Sequence, residues 1–187
     1  MGVLITFGIL VLLFLWAVGI YNRLVRLRNQ VNNGWKQIDV QLKRRHDLIP
    51  NLVNAVKGAM EFEKGTLEVV VAARNRAAAA TGPADAGRKE GELTQALGRF
   101  FALAESYPQL TANQNVRALQ EELAGTENKV GFARQFYNDI VTTYNTAIGV
   151  VPGNFIAGFA GFRPAELFEI ADAAERDVPA VDLSIKT

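Results

Sequence analysis

Residues 29–56 read NQVNNGWKQIDVQLKRRHDLIPNLVNAV and decide the fold. Eight of them recur at alternating intervals of four and three residues, the spacing that keeps one stripe of a helix against a neighbouring helix. The stripe consists of Val31, Trp35, Ile38, Leu42, Arg45, Ile49, Leu52 and Val56, and seven of these eight residues are apolar. Because one helix cannot bury such a stripe alone, it needs partner helices. The stripe stays in phase past Pro50 to Met60, so we interpret the proline as a kink and not as the end of the helix.

An uncharged apolar run precedes this stretch. Residues 3–20 carry no charge in eighteen positions, and thirteen of them are Val, Leu, Ile or Phe. As a helix the run would be ~27 Å long, close to the ~30 Å of a bilayer core. We therefore predict a transmembrane anchor over residues 1–22. A cleaved signal peptide is the alternative; it is disfavoured because no basic residue precedes the run and no small-x-small cleavage site follows it.

Basic residues follow the run, and no side-chain charge precedes it. They are Arg23, Arg26, Arg28, Lys36, Lys43, Arg44 and Arg45, opposed up to that point only by Asp39. By the positive-inside rule we expect a single-pass protein of the bacterial inner membrane, with its N-terminus outside and its body in the cytoplasm. The first three arginines are also placed to contact anionic headgroups.

The body is predicted to contain four helices, at about 24–62, 66–80, 88–106 and 112–148. Gly65 is expected to break the first from the second, with Thr66 as an N-cap. Residues 81–87 have the composition of a loop. Thr111 and Gln114 fit a capping box that opens the longest regular pattern.

Lengths then favour a topology. The first and fourth helices would each be ~55 Å long, and the two shorter helices fit between them. We predict an all-α protein, an antiparallel up-and-down four-helix bundle over residues 23–176 behind one N-terminal transmembrane helix. A first helix that continues past Gly65 is the alternative. A short helix is expected from Pro164 to about residue 176, and residues 177–187 are expected to form a short strand or a frayed tail.

The antiparallel alignment of the two long helices makes two further predictions. It places Asp39 opposite Arg134 and Arg45 opposite Glu127, as ion pairs that fix the register of the seam. It also brings residues 149–162, GVVPGNFIAGFAGF, to the membrane end of the bundle. The apolar residues of that segment are predicted to contact lipid or a second subunit, or alternatively to cap the mouth of the bundle; they are Phe155, Ile156, Phe159 and Phe162.

Composition excludes several classes of site. The chain has no cysteine and one histidine, His46, which excludes zinc–thiolate, iron–sulfur and two-histidine sites. A net charge of +1 gives no basic field for nucleic acid. No phosphate loop, nucleophile elbow or dinucleotide fingerprint is present. His46 is therefore interpreted as a packing or surface residue, and the carboxylates Glu61, Glu63 and Glu68 as a solvated face. We expect no cofactor, no metal, no small-molecule substrate and no enzymatic activity.

Asn138 and Asn145 each follow a tyrosine and lie seven residues apart on the fourth helix. One interpretation is a polar ladder that specifies a partner helix. The favoured alternative is ordinary hydrogen bonding at the edge of the core.

Several motifs together resemble the LemA family. They are NNGWKQIDVQLKRRHDLIPNLV (32–53), EFEKGT with AAR (61–66, 72–74), ENKVGFARQFYNDIVTTYNTAI (127–148) and VPGNFIAGFAGF (151–162). The resemblance covers essentially the whole chain and implies a helical body anchored by one helix with its N-terminus outside. It implies no biochemical activity and no catalytic residues, although some relatives are associated with membrane-organelle biogenesis in bacteria.

Two functions are compatible with these observations. The first is a scaffold in the bilayer that self-associates or organises membrane through the anchor, the stripes and residues 149–162. The alternative is an adaptor that binds another membrane-associated protein at the membrane-distal tip, around residues 61–66 and Pro108. An enzyme or metal protein is a distant third.

Overall fold

The computed structural model describes residues 1–60 and 63–170, and this part of the chain is helical without a strand. Its helices are α1 (Gly2–Val56), α2 (Lys64–Ala78), α3 (Gly82–Ala104), α4 (Pro108–Thr111), α5 (Gln114–Gly149) and α6 (Gly153–Ala160). The predicted all-α class is confirmed.

The anchor and the first body helix form one continuous helix, α1. Its N-terminal third is apolar and contains no buried residue, and α1 is the helix among the described residues that is long and apolar enough to cross a membrane. Burial begins at Leu24 and then follows the predicted stripe to Val56. The apolar run therefore extends from the bundle as the continuation of its longest helix.

Helix α1 continues through Pro50, as the phase of the stripe predicts. Because proline has no backbone N–H, the carbonyl of His46 lacks its donor four residues on. Arg74 of α2 supplies the missing donor: its Nε lies 3.1 Å from the His46 carbonyl oxygen. A side chain from a neighbouring helix thus completes the hydrogen bonding of α1 at this point.

Helices α1 and α5 run antiparallel and form the backbone of the molecule. Near the membrane end Leu24 and Ile148 belong to the same buried cluster, and at the other end Leu52 and Val116 share a second one. The hairpin of α2 and α3 packs onto the distal half of this pair, so the bundle has four helices there. In the proximal half residues 163–170, which we call the strap, take the place of the hairpin.

The first interhelical boundary differs from the prediction. Helix α1 ends at Val56, not near residue 62, because the N–H groups of Ala59 and Met60 both donate to the Val56 carbonyl and close a turn. Helix α2 begins at Lys64 with Glu63 as N-cap, so Gly65 and Thr66 lie inside it. The alternative of a continuous first helix is also wrong.

Other boundaries differ for local reasons. Residues 82–87, predicted as part of a loop, open α3, because Pro83 fits a first helical turn and Asp85 accepts from the Thr81 N–H at 3.0 Å. The N-cap of α5 is Asn113, whose Oδ1 accepts from the backbone N–H groups of two following residues, so the capping box was wrong.

The C-terminal region shows the largest difference. Residues 164–170 form no regular secondary structure and not the predicted helix, whereas α6 forms within the glycine- and phenylalanine-rich segment. The rest of that helix prediction, residues 171–176, and the tail over 177–187 lie outside the described residues.

Candidate functional site

The strap is held by two tyrosine–asparagine pairs of α5. Tyr144 Oη donates to the Arg163 carbonyl and Tyr137 Oη donates to the Glu166 carbonyl, both at 2.8 Å. The Asn145 amide exchanges two hydrogen bonds with the backbone of Ala165, at 2.9 and 2.8 Å. The Asn138 amide does the same with Phe168, at 3.1 and 3.0 Å. Each asparagine therefore acts as a neighbouring strand would.

The spacing of these pairs matches the strap. Seven residues of helix rise ~10.5 Å, and three extended residues span ~10 Å. Tyrosine and asparagine repeated at seven residues therefore contact every third residue of an extended chain. These contacts are hydrogen bonds at the edge of the core, the interpretation that the sequence favoured. They form a ladder that binds a segment of the same chain, so the alternative of a ladder that specifies a partner helix is wrong.

Apolar contacts fix the distal end of the strap. Phe168 is fully buried, with its ring centroid 5.8 Å from that of Trp35. Gly87 lies so close to the backbone of Glu169 that a Cβ at this position would collide with it. The strap thus packs on α1, α3 and α5 together.

Burial changes the acidity of the two tyrosines. It raises the pKa of Tyr137 to about 12, with a smaller contribution from the nearby Glu166 carboxylate. Burial also raises the pKa of Tyr144, although the nearby Arg28 guanidinium opposes the shift. Both hydroxyls therefore remain donors to the strap well above neutral pH.

A buried polar cluster joins α1 to α3 and α5. Glu90 is fully buried; it accepts from Arg45 Nη1 at 2.9 Å and from His46 Nε2 at 2.5 Å. Arg45 Nη2 also donates to Thr94 Oγ1 at 2.9 Å and pairs with Glu127 at 2.6 Å. Because each oxygen of Glu90 has a partner, the cluster is suited to holding three helices in register.

The centre of this cluster was not among the residues predicted from the sequence. Glu90 was not singled out, yet it continues the apolar stripe of α3, formed by Ala86, Leu93, Leu97, Phe100 and Ala104 at four- and three-residue intervals. The place of Glu90 in this stripe was the feature of the sequence that could have predicted a buried carboxylate. His46 is a packing residue, as one of its two interpretations stated. Among the described residues no group of three or more His, Cys, Asp or Glu could hold a metal ion.

Of the two predicted seam pairs, the structure brings one together. Arg45 and Glu127 form the ion pair described above. Asp39 and Arg134 form none with each other in the described part of the chain, which corrects that prediction. Asp39 follows the stripe residue Ile38 by one position and is exposed, in a cleft shared with Arg74 of α2 and not on the side facing α5.

Segment 149–162 lies at the membrane end of the bundle, as predicted, but its aromatic residues divide into two groups. Phe155 and Phe159 are exposed, the latter to 96%, and Ile156 is half-buried. Phe162 is buried: its ring lies 5.8 Å from that of Tyr21 and 5.0 Å from the Arg28 guanidinium. The prediction that Phe162 contacts lipid or a second subunit is therefore corrected, because it packs on α1.

A second exposed apolar surface lies on the bundle itself. We call it the body face: Val40 of α1 with Phe132 and Phe136 of α5, whose exposed fractions are 62%, 75% and 53%. It borders a groove of about 480 Å³ between the two helices, lined also by Lys36 and Lys129. The sequence contained a signal, since the two phenylalanines are four residues apart and off the buried stripe.

A cleft of about 730 Å³ opens at the membrane-distal tip, between the end of α1 and α2. Its lining includes the apolar residues Val53, Met60 and Leu67 and the charged residues Lys57 and Glu68. The predicted adaptor surface at this tip includes residues 61 and 62, which lie outside the described part of the chain.

A sequence model of the LemA family matches residues 34–183. The chain belongs to the LemA family. It is 24% identical over 185 residues to protein LemA of Metamycoplasma hominis, covering 92% of this chain and 83% of that protein. It is 30% identical over 89 residues to magnetosome protein MamQ 1 and to MamQ 2 of Paramagnetospirillum magneticum, covering 48% of this chain and 33% of each. The match thus spans about one third of the length of the MamQ proteins. Family and apolar α1 together describe a membrane-associated helical protein.

Proposed function

We propose that this LemA-family protein is a non-enzymatic scaffold, anchored by one transmembrane helix with its N-terminus outside and its bundle in the cytoplasm. In this proposal its copies associate side by side in the bacterial inner membrane, and no cofactor or small-molecule substrate takes part. The MamQ relatives are named for a cellular structure and not for a reaction, which supports such a role.

The body face carries the proposal. Val40 follows the end of the uncharged run by twenty residues, ~30 Å along α1, so the bilayer does not reach this face. Two phenylalanines exposed to water at that height are unusual for a monomer and mark an interaction surface. A protein partner is needed to cover them.

A second copy fits this surface. Two copies anchored with the same orientation present the same face at the same height. Gly34 lies against Tyr137 in the seam, so Lys36 of α1 and Asp139 of α5 are within about one helical turn of the same level. Neither forms an ion pair in the described part of the chain. When α1 of one copy lies beside α5 of the other, these opposite charges meet across the interface.

Cysteine crosslinking tests the proposal, because the natural chain has no cysteine. Two differently tagged full-length copies, one with Val40→Cys and one with Phe132→Cys, are co-expressed and oxidised in intact membranes. The proposal predicts a disulfide-linked pair that carries both tags. Replacing Val40→Cys by Val69→Cys, an exposed position on α2, is the control and should give no such pair. Equal crosslinking from both combinations, or none from either, would refute the body-face interface.

The adaptor function is the second candidate, favoured by the cleft at the tip. An apolar floor with charges of both signs at its edge suits a helix or loop of another protein. The crosslinking experiment also distinguishes the two candidates, because an adaptor that acts as a monomer gives no crosslink at the body face. Such an adaptor binds its partner through the tip cleft, so replacing Val71, which lines that cleft, by serine should abolish partner binding.

A further inference from the structure

A third cleft lies where the bundle meets the anchor. It has a volume of about 390 Å³ and is enclosed by α1 near Arg23, by the last turns of α5 and by residues 150–153. Arg23 comes three residues after the uncharged run, so the cleft is level with the headgroups of a bilayer that holds the anchor.

The lining combines one cation with several hydroxyls. Arg23 is joined by Thr142, Thr143 and Thr146, and none of the described residues that line the cleft is acidic. Thr143 already donates to the Asp139 carbonyl, at 2.9 Å. Among the described residues, the hydroxyls of the other two threonines and the Arg23 guanidinium have no hydrogen-bond or ion-pair partner. Donors without partners, grouped around a cation, are suited to an anion with several acceptor oxygens.

The remaining lining is apolar. Ile20 of the anchor borders the cleft, together with Val150 and Val151, which are both exposed. The wall is closely packed, because a Cβ at Gly153 would collide with the Ala147 carbonyl. A polar wall with a cation beside an apolar border, at the level of the headgroups, matches the boundary between the phosphate and the acyl chains of a lipid.

We propose that this cleft binds the phosphate group of an anionic phospholipid. The Arg23 guanidinium pairs with the phosphate, and the hydroxyls of Thr142 and Thr146 donate to its oxygens. The acyl chains lie along Ile20 and Val151. The site does not depend on self-association, so it goes beyond the scaffold function and can be tested separately.

The test is native mass spectrometry of the full-length protein released from micelles that contain phosphatidylglycerol and phosphatidylcholine. Arg23→Gln should retain about fivefold less phosphatidylglycerol, the ratio expected for ~1 kcal/mol per basic residue at an anionic surface. Arg26→Gln is the matched control, an exposed arginine one turn along α1 that does not line the cleft. It should lose clearly less phosphatidylglycerol than Arg23→Gln does, because Arg26 contributes only the general attraction of a basic residue to an anionic surface.

A second variant separates the hydroxyls from the charge. Thr142→Val with Thr146→Val keeps the shape and every charge, and should also reduce retention of phosphatidylglycerol without changing that of phosphatidylcholine. Thermal unfolding by circular dichroism verifies that each variant is folded. Equal losses in Arg23→Gln and Arg26→Gln, or no loss in the threonine variant, would overturn the site. Equal retention of phosphatidylglycerol by the natural protein and Arg23→Gln, together with binding of inorganic phosphate in lipid-free detergent that only Arg23→Gln loses, would overturn the lipid as the ligand and assign the cleft to a free anion.

Discussion

At the scale of single residues, Glu90 shows how a charge is kept inside this bundle. Removing a carboxylate from water costs several kcal/mol, and Arg45 and His46 offset that cost by direct hydrogen bonds to both oxygens. Since the three residues belong to α1 and α3, the cluster favours the one register in which all of them are paired. An apolar residue in place of Glu90 would leave Arg45 with Glu127 and Thr94 alone.

We therefore expect Glu90→Ala to lower the free energy of unfolding by about 3 kcal/mol, the lower end of the cost of leaving a buried charge without one partner. Glu92→Ala is the control, since Glu92 is half-exposed and pairs with the equally exposed Arg76. Its effect should be below about 0.5 kcal/mol. Chemical denaturation in detergent measures both, and similar values for the two variants would contradict the role assigned to Glu90.

The raised pKa of Tyr137 predicts how stability depends on pH. The folded-state pKa of about 12 lies above the ordinary value of about 10. The unfolded chain therefore loses this proton first, and the contribution of Tyr137 is complete below pH ~10 and lost between pH ~10 and ~12. Tyr137→Phe should show a shallower loss of thermal stability in that window. An identical slope in the variant would show that other groups cause the loss.

Two glycines of α3 should respond to alanine with opposite signs. Gly87→Ala places a Cβ against the Glu169 backbone. This overpacking should lower the free energy of unfolding by about 1–3 kcal/mol. Gly98 has open space where its Cβ would be, so Gly98→Ala should stabilise the helix by about 0.5–1 kcal/mol. Thermal unfolding of both variants measures the difference. Stabilisation by Gly87→Ala would show that the strap does not pack there.

At the scale of elements, the strap joins the membrane end of the bundle to the start of α3. The strap takes part in these hydrogen bonds through its own main-chain atoms, and the tyrosine and asparagine side chains of α5 are the partners. The ladder on α5 therefore recognises a backbone and places few demands on the side chains of the strap. Phe168 is the exception, since it fills a pocket beside Trp35.

Asn138→Ala removes two hydrogen bonds to Phe168 and should destabilise the strap by about 2 kcal/mol, at ~1 kcal/mol for each bond. Hydrogen exchange of the Phe168 amide should accelerate, while amides in the centre of α5 keep their protection. Asn128→Ala, an exposed position on the same helix, is the control. Unchanged exchange at Phe168 in Asn138→Ala would contradict the ladder.

The elements that the sequence predicted are those with a periodic apolar stripe. The stripe from Val31 to Val56 predicted the buried face of α1, and a similar one predicted α5. The strap left no such trace, because it contributes backbone atoms to these hydrogen bonds and not side chains with a pattern. Pro164 followed by Glu166 also looks like the start of a helix. The pairing of Arg45 with Glu127 could be predicted from the antiparallel alignment of the two long helices alone. The role of Glu90 could be predicted only by allowing a charged residue at a position of the buried stripe.

At the scale of the whole molecule, the two halves of the bundle differ. The distal half is closed by the α2–α3 hairpin and the proximal half by the strap, and both cover the same side of the α1–α5 pair. The opposite side of the pair carries the exposed body face, and the membrane end carries the exposed side chains of Phe155 and Phe159. This one-sided construction is the basis of the proposed scaffold function.

The mass of the full-length protein in mild detergent tests that function most directly, compared with Phe132→Ser/Phe136→Ser and with Val69→Ser as a control. Self-association through the body face predicts a discrete assembly for the natural protein and for Val69→Ser, and a monomer for the double variant. Both residues are exposed, so the double variant should remain folded by circular dichroism. A natural protein that is monomeric, or a double variant that assembles as the natural protein does, would contradict self-association through the body face.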